Sequence, residues 1–169
     1  GMEYDTELTF NIGGSFGDFF IAVSEVTLVG DEPYEPYYNV DIAWTGTSQL
    51  VIFEDSITGL ESGDEIGIFD SNAIIDDAGT TGELLVGPAA QVEDENGDLI
   101  TVSVPTIWNG EQLNPVAIGS VDLSQFGGPL LPGYQEGNPL VVKVYRPSTG
   151  MEYDTELTFN IGGEFGDFF

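Results

Sequence analysis

Apolar and polar positions alternate along the first twelve residues. Tyr4, Thr6, Leu8, Phe10 and Ile12 fall at spacing two, with Glu3, Asp5, Glu7 and Thr9 between them. Period two predicts a strand with one wet face. Gly13 and Gly14 interrupt it, and a Gly17-Asp18 turn leads into a second apolar stretch over 19–29. The segment 31–38 reads DEPYEPYY and predicts an extended linker or strand edge, and with it a unit boundary. Further short strands are predicted over 40–44, 50–53, 65–69, 84–86, 100–104, 116–123 and 140–145, each rich in β-branched or aromatic residues. Turn material separates them, for example Asp77-Ala78-Gly79 and Glu95-Asn96-Gly97-Asp98. No long stretch carries the 3.6-residue period of a helix. The pattern predicts an all-β chain, with a Greek-key, Ig-like β-sandwich as the preferred form.

The opening strand occurs twice. Residues 1–20 read GMEYDTELTFNIGGSFGDFF and residues 150–169 read GMEYDTELTFNIGGEFGDFF, identical except for Ser15 against Glu164. The offset of 149 residues is a plausible domain length, so the chain holds one period and the opening of a second. Three accounts are open: a window on a long tandem array, separate subunits that each lend a terminal strand to a neighbour, or an engineered or idle duplication. In the first two, one unit has room for one copy, and the other is an additional terminal strand available for inter-unit pairing. The 140–145 strand, the Arg146-Pro147-Ser148-Thr149-Gly150 turn and a repeat strand over 152–161 predict a hairpin. The C-terminal copy is thus expected to complete a domain spanning 35–169. Residues 1–34 are expected to belong to, or dock on, the preceding unit and to end in the linker.

Charge changes the picture. Hydrophobic residues make up 41% of the 169, enough for a core, yet 30 Asp and Glu face only Lys143 and Arg146, for a net charge of -28. Normal hydrophobicity argues against disorder, and self-repulsion on this scale calls for bound cations or screening salt. Two basic residues cannot neutralise a nucleic-acid backbone, and an anionic membrane surface is disfavoured likewise. No stretch is long and apolar enough to span a bilayer as a helix. With no His and no Cys, Ser-His-Asp and Cys-His catalysis are both impossible. A carboxylate pair could hydrolyse glycosides, but thirty acids make such pairs uninformative, and no enzyme is expected. The chain opens on Gly1, which matches Gly150, and reads as a processed product or a segment cut from something longer.

A family resemblance rests on the second half. Gly63-Asp64-Glu65-Ile66-Gly67-Ile68-Phe69-Asp70, then Gly82-Glu83-Leu84-Leu85-Val86-Gly87, Trp108, Gly133-Tyr134-Gln135-Glu136-Gly137-Asn138-Pro139 and Lys143-Val144-Tyr145 occur in that order. Together they resemble the β-sandwich repeats of large secreted surface proteins of marine and Bacteroidota-like bacteria. Tyr134 stands where those repeats usually have Phe, Arg146 where an acid is common, and the Cys of related segments is missing. The resemblance implies export to the cell surface, a modular context and no catalytic role.

Candidate chemistry falls into three groups. For a metal site, the candidate ion is Ca²⁺, held by oxygens of Asp94, Asn96 and Asp98 around Gly97, or of Asp70, Asn72, Asp76 and Asp77, with Asp31, Glu32 and Glu35 as a third cluster. A solvated acidic face is the preferred reading at each. For a ligand platform, Trp44 and Trp108 could stack on surface polysaccharide, the alternative being that Trp44 is core and that Tyr34, Tyr37 and Tyr38 pack between units. For assembly, the duplicated apolar residues stand out: Tyr4, Leu8, Phe10, Ile12, Phe16, Phe19 and Phe20, with Tyr153, Leu157, Phe159, Phe165, Phe168 and Phe169. Burying one Phe stabilises by roughly 1.5–3 kcal/mol, so this Phe-rich tail is the expected contact between units. The sequence thus predicts a secreted, cell-surface repeat or subunit that assembles head to tail with copies of itself. The alternative is a carbohydrate-binding or adhesion module without catalysis.

Overall fold

The computed structural model describes residues 5–12, 22–29 and 35–167. The chain divides into two compact units, Gly1–Glu35 and Pro36–Phe169. It is all-β, built from several antiparallel sheets.

In the first unit β1 (Asp5–Ile12) pairs with β2 (Ala22–Val29) in an antiparallel hairpin. The register runs Thr6↔Leu28, Glu7↔Thr27, Leu8↔Val26 and Thr9↔Glu25, with irregularities beyond Thr9. The predicted alternation becomes a strand, and its partner is the next apolar stretch along the chain.

The second unit is organised around β4 (Glu65–Ile74), one of the two inner strands of a four-stranded sheet. One neighbour is β5 (Thr81–Gly87), reached by the Asp77-Ala78-Gly79 turn. The other is β11 (Val141–Arg146), which in turn pairs with β12 (Met151–Asp154) at the sheet's edge. Smaller ladders join β3 (Ser48–Leu50) to β8 (Val116–Ile118), β6 (Ala89–Glu93) to β7 (Leu99–Ser103), and β9 (Val121–Asp122) to β10 (Leu130–Leu131).

β4 is buried from Glu65 to Asp70, as expected of a central strand covered on both faces. Ile66 and Ile68 join Val142 and Val144 of β11, Val86, Phe53 and Trp108 in the main core. Glu65, Gly67 and Phe69 alternate with those isoleucines, and on them lie Tyr37 and Tyr38, two of the tyrosines predicted to pack between units; the third, Tyr34, lies outside the described residues. The Glu65 carboxylate accepts the backbone N–H groups of Tyr37 (3.1 Å) and Tyr38 (2.9 Å). The Tyr38 ring sits so close over Gly67 that a Cβ there would meet it at 2.7 Å, so only glycine fits. Tyr37 stacks on Tyr145 with ring centroids 3.9 Å apart. Tyr37 and Tyr38 therefore cover a face of their own unit.

The strand predicted over 40–44 does not form. The Val40 N–H goes to the Ser103 hydroxyl (2.7 Å), and the Val40 side chain packs with Ala89 and Ile118 in a second small core. The stretch 116–123 breaks in two at Gly119-Ser120, where the N–H groups leave for Thr47 and Tyr134. β6 and β10 were not foreseen: Ala89-Ala90-Gln91 carries little strand signal, and pairing with β7 imposes the strand. The repeat strand predicted over 152–161 stops at Asp154.

A buried ion pair ties the end of β11 to the entry of β4. Asp64 is almost fully buried and accepts Arg146 Nε (2.8 Å) and Nη2 (2.7 Å), while Arg146 Nη1 reaches the exposed Glu61 (2.9 Å). Two parallel bonds from one guanidinium need the planar fork of Arg, which Lys lacks.

Candidate assembly surface

The same sequence takes two courses. In the first copy, DTELTFNI is β1, paired along its length with β2. In the second copy, these eight residues are 154–161, and only the first of them remains in a strand. β12 pairs with β11 from Met151↔Arg146 to Asp154↔Lys143. All four of its residues are exposed, and it is the outer strand of its sheet. An edge strand of this kind presents unpaired backbone groups to any further strand.

After β12 the chain leaves the sheet. The Thr155 hydroxyl donates to Val142 O (2.8 Å), which anchors the departure. The return is fixed at Gly163, whose carbonyl accepts the Leu140 N–H (3.0 Å), and at Phe165, which exchanges backbone bonds with Gly137 and Asn138. Gln49 fastens the strap from the other side by accepting the Gly166 N–H (2.7 Å) and donating to Asp167 O (3.2 Å). Residues 156–162 thus form an excursion pinned at both ends.

Between that excursion and residues 49–58 runs an open groove of 530 Å³. Its apolar lining includes Leu50, Ile52 and Ile57 on one wall and Leu157, Phe159 and Ile161 on the other. Leu50, Ile52, Phe159 and Ile161 are 42%, 41%, 42% and 64% exposed, a concentration of accessible apolar surface in one place. Leu50 and Ile52 were not singled out as site residues. The sequence carried a signal, because 50–53 is apolar without alternation, and such a run has an apolar side chain on each face of the chain.

The predicted assembly residues separate accordingly. Leu157 is partly buried against the core and Phe159 opens to solvent over the groove, while Tyr153 lies exposed on the edge strand. Phe165 departs from the expectation of an inter-unit contact. It is 2% exposed and stacks on Tyr134 within its own unit, because the strap returns it to the core. Leu8, Phe10 and Ile12 lie in β1. Tyr4, Phe16, Phe19, Phe20, Phe168 and Phe169 fall outside the described residues, as do Asp31 and Glu32.

The carboxylates proposed as Ca²⁺ ligands are engaged by their own turns. Asp94 Oδ1 accepts the N–H groups of Asn96 and Asp98 (both 2.8 Å) in the β6–β7 hairpin turn, where Gly97 adopts φ 85°. These bonds, the Asp98 N–H foremost, hold the Asp94 carboxyl below its ordinary pKa. Asp70 is fully buried and accepts from the Asn72 N–H (2.8 Å), the Gln135 N–H (2.9 Å) and Asn138 Nδ2 (2.9 Å). Asp76 serves a different turn by accepting the Ala78 and Thr80 N–H groups (3.0 and 2.9 Å). Among the described residues no group of three or more Asp, Glu, His or Cys is placed to hold a metal ion. Asp70 and Asp76 therefore do separate work, and Asp94 and Asp98 shape a hairpin.

The two tryptophans proposed as a ligand platform differ in exposure. Trp108 is 4% exposed and belongs to the main core, where Phe53 and Ile66 share its cluster. Trp44 is half-buried against the small core of Val40, Ala89 and Ile118. Both walls of the groove and the edge strand beside it are thus built largely from the duplicated sequence and from 49–58. Comparison with family models, with curated proteins and with solved structures finds no match to this chain.

Proposed function

We propose that the chain is a structural repeat or subunit of an extracellular, cell-surface fibre or adhesin, which assembles head to tail by strand complementation and carries out no catalysis. The observation that carries this reading is the duplicated segment. One copy is paired from Asp5 to Ile12 as β1, with irregularities beyond Thr9, while the other reaches only Asp154 in the ladder and then borders an open apolar groove. A sequence that forms a full strand when offered β2 is left short of a partner at the other end of the chain. A contact between one end of a chain and the opposite end of another is heterologous, so it propagates instead of closing.

Placement outside the cell follows from the resemblance to secreted surface repeats, as does a Greek-key, Ig-like sandwich for the larger unit. The strong negative charge suits this setting, since it keeps neighbouring fibres apart in screening salt. The polysaccharide-binding alternative has less support, because Trp108 is core and Trp44 is half-covered.

Sedimentation of the full chain across a concentration series in about 0.15 M salt, where the Debye length is ~8 Å, tests the reading. Open-ended assembly gives a weight-average mass that rises without a plateau. A monomer at every concentration, in this salt and at several-fold higher salt, overturns it.

A further inference from the structure

We propose that residues 155–161 and the groove beside them receive β2 (Ala22–Val29) of a second copy of this chain, in the register that β1 uses. This rests on the assembly reading above and names its partner strand. Residues 154–161 are identical to β1, so the hairpin of the first unit is a template for what this sequence pairs with. Transferred by the repeat offset, the register sets Thr155 opposite Leu28, Glu156 opposite Thr27, Leu157 opposite Val26 and Thr158 opposite Glu25.

Charge supports both the partner and the register. The net charge is -28, yet Ala22–Val29 contains one charged residue, Glu25, and residues 155–161 contain one, Glu156. The two stretches can meet with less repulsion than most of this surface allows. In the transferred register each acid faces a threonine. A slip of two residues would set Glu25 opposite Glu156, and directly opposed like charges destabilise a strand pair. The register is thus protected by its only two charges.

The exchange also has a driving force. When residues 155–161 take the place of their twins 6–12 on a second chain's β2, one set of ladder bonds gives way to a set of identical sequence, so the backbone contribution nearly cancels. What is gained is cover for Leu50 and Ile52, which are exposed in the isolated unit, whereas any gain at Phe159 and Ile161 is offset at their sequence twins Phe10 and Ile12 in the released β1. Main-chain bonds supply the fit and apolar burial supplies the net stabilisation, which is the physics of strand addition.

The chain has no cysteine, so a disulfide reports the register without background. Full-length chain carrying Glu25→Cys is mixed with differently tagged full-length chain carrying Thr158→Cys and oxidised under conditions where the parent associates. The expected result is a mixed dimer at least tenfold more abundant than with Thr27→Cys as the partner of Thr158→Cys. If the chains associate by sedimentation but the 25–158 link is not enriched, the strand assignment falls while the assembly reading stands. If they neither associate nor cross-link, both fall. A double Glu25→Cys, Thr158→Cys chain that closes on itself at high dilution assigns β2 to its own chain and overturns the second-copy partner.

Discussion

Phe165 lies flat on Tyr134, the ring centroids 4.3 Å apart and the planes within 8° of parallel. Both rings are buried, and one of them belongs to the duplicated segment. The C-terminal copy is therefore more than a loose tail. It contributes an anchor to the core of the larger unit, and the groove-lining excursion hangs between that anchor and β12.

Removing the anchor should be costly. Phe165→Ala is expected to destabilise by about 3–5 kcal/mol, the usual range for a buried Phe truncated to Ala. Phe159→Ala, at a position 42% exposed, is expected to cost less than about 1 kcal/mol. Urea denaturation of the two variants beside the parent checks the contrast. Equal losses would mean that the excursion is packed as tightly as the strap.

The Arg146–Asp64 pair predicts a second contrast. Arg146→Ala leaves the Asp64 charge buried without its bidentate partner, and is expected to cost about 3–5 kcal/mol. Asp64→Asn keeps the size of the side chain and removes the charge, so it should cost less. Denaturant midpoints of both variants decide this.

The same pair sets a pH dependence. Burial pushes the Asp64 carboxyl up, but the Arg146 hydrogen bonds and the Glu61 N–H outweigh it, and its pKa ends below the ordinary 3.8. A carboxyl lowered by folding stabilises fully above its unfolded value and loses that contribution as the pH falls through its folded value. The stability difference between the parent and Asp64→Asn is thus expected to be flat above pH 5 and to shrink below 3.8. Denaturant melts of both proteins from pH 7 to pH 2.5 measure it. A difference that grows on acidification would contradict the assignment.

Salt should act on the chain as a whole. With a net charge of -28, the folded state gains from screening, and the melting temperature is expected to rise from 10 mM to 500 mM NaCl. Asp94 shapes a hairpin turn and Asp70 is buried among backbone and amide donors, and among the described residues no three acids are grouped to hold an ion. Ca²⁺ and Mg²⁺ at equal ionic strength are therefore expected to shift the melt alike. A rise specific to Ca²⁺ and reversed by a chelator would establish a structural site.

Much of the fold was legible because the strands carry their signals locally. The 65–69 and 140–145 runs become β4 and β11, and the Asn96-Gly97 and Ala78-Gly79 turns sit where glycine punctuates the pattern. What was not legible depends on neighbours. Val40 satisfies its N–H on a hydroxyl 63 residues away, and β6 is a strand because β7 lies beside it. Asp70 looked like a ligand because its sequence neighbours are polar, whereas its partners Gln135 and Asn138 arrive from 65 and 68 residues away. The groove was half legible. The duplicated strand stood out from the repeat, but the wall of Leu50 and Ile52 appears only when residues 49–58 are set beside 156–162.

The two courses of one octapeptide bear on the order of events during synthesis. β1 meets β2 within a few tens of residues of leaving the ribosome, and a hairpin closes in roughly 1–10 μs. The twin segment follows 149 residues later, which at about 5–20 residues per second is many seconds. Nascent molecules therefore emerge with their own hairpin already shut, and the late twin finds that strand taken. If chains join as proposed above, each addition would wait on the opening of a finished hairpin, so that chains still being made would not pair early.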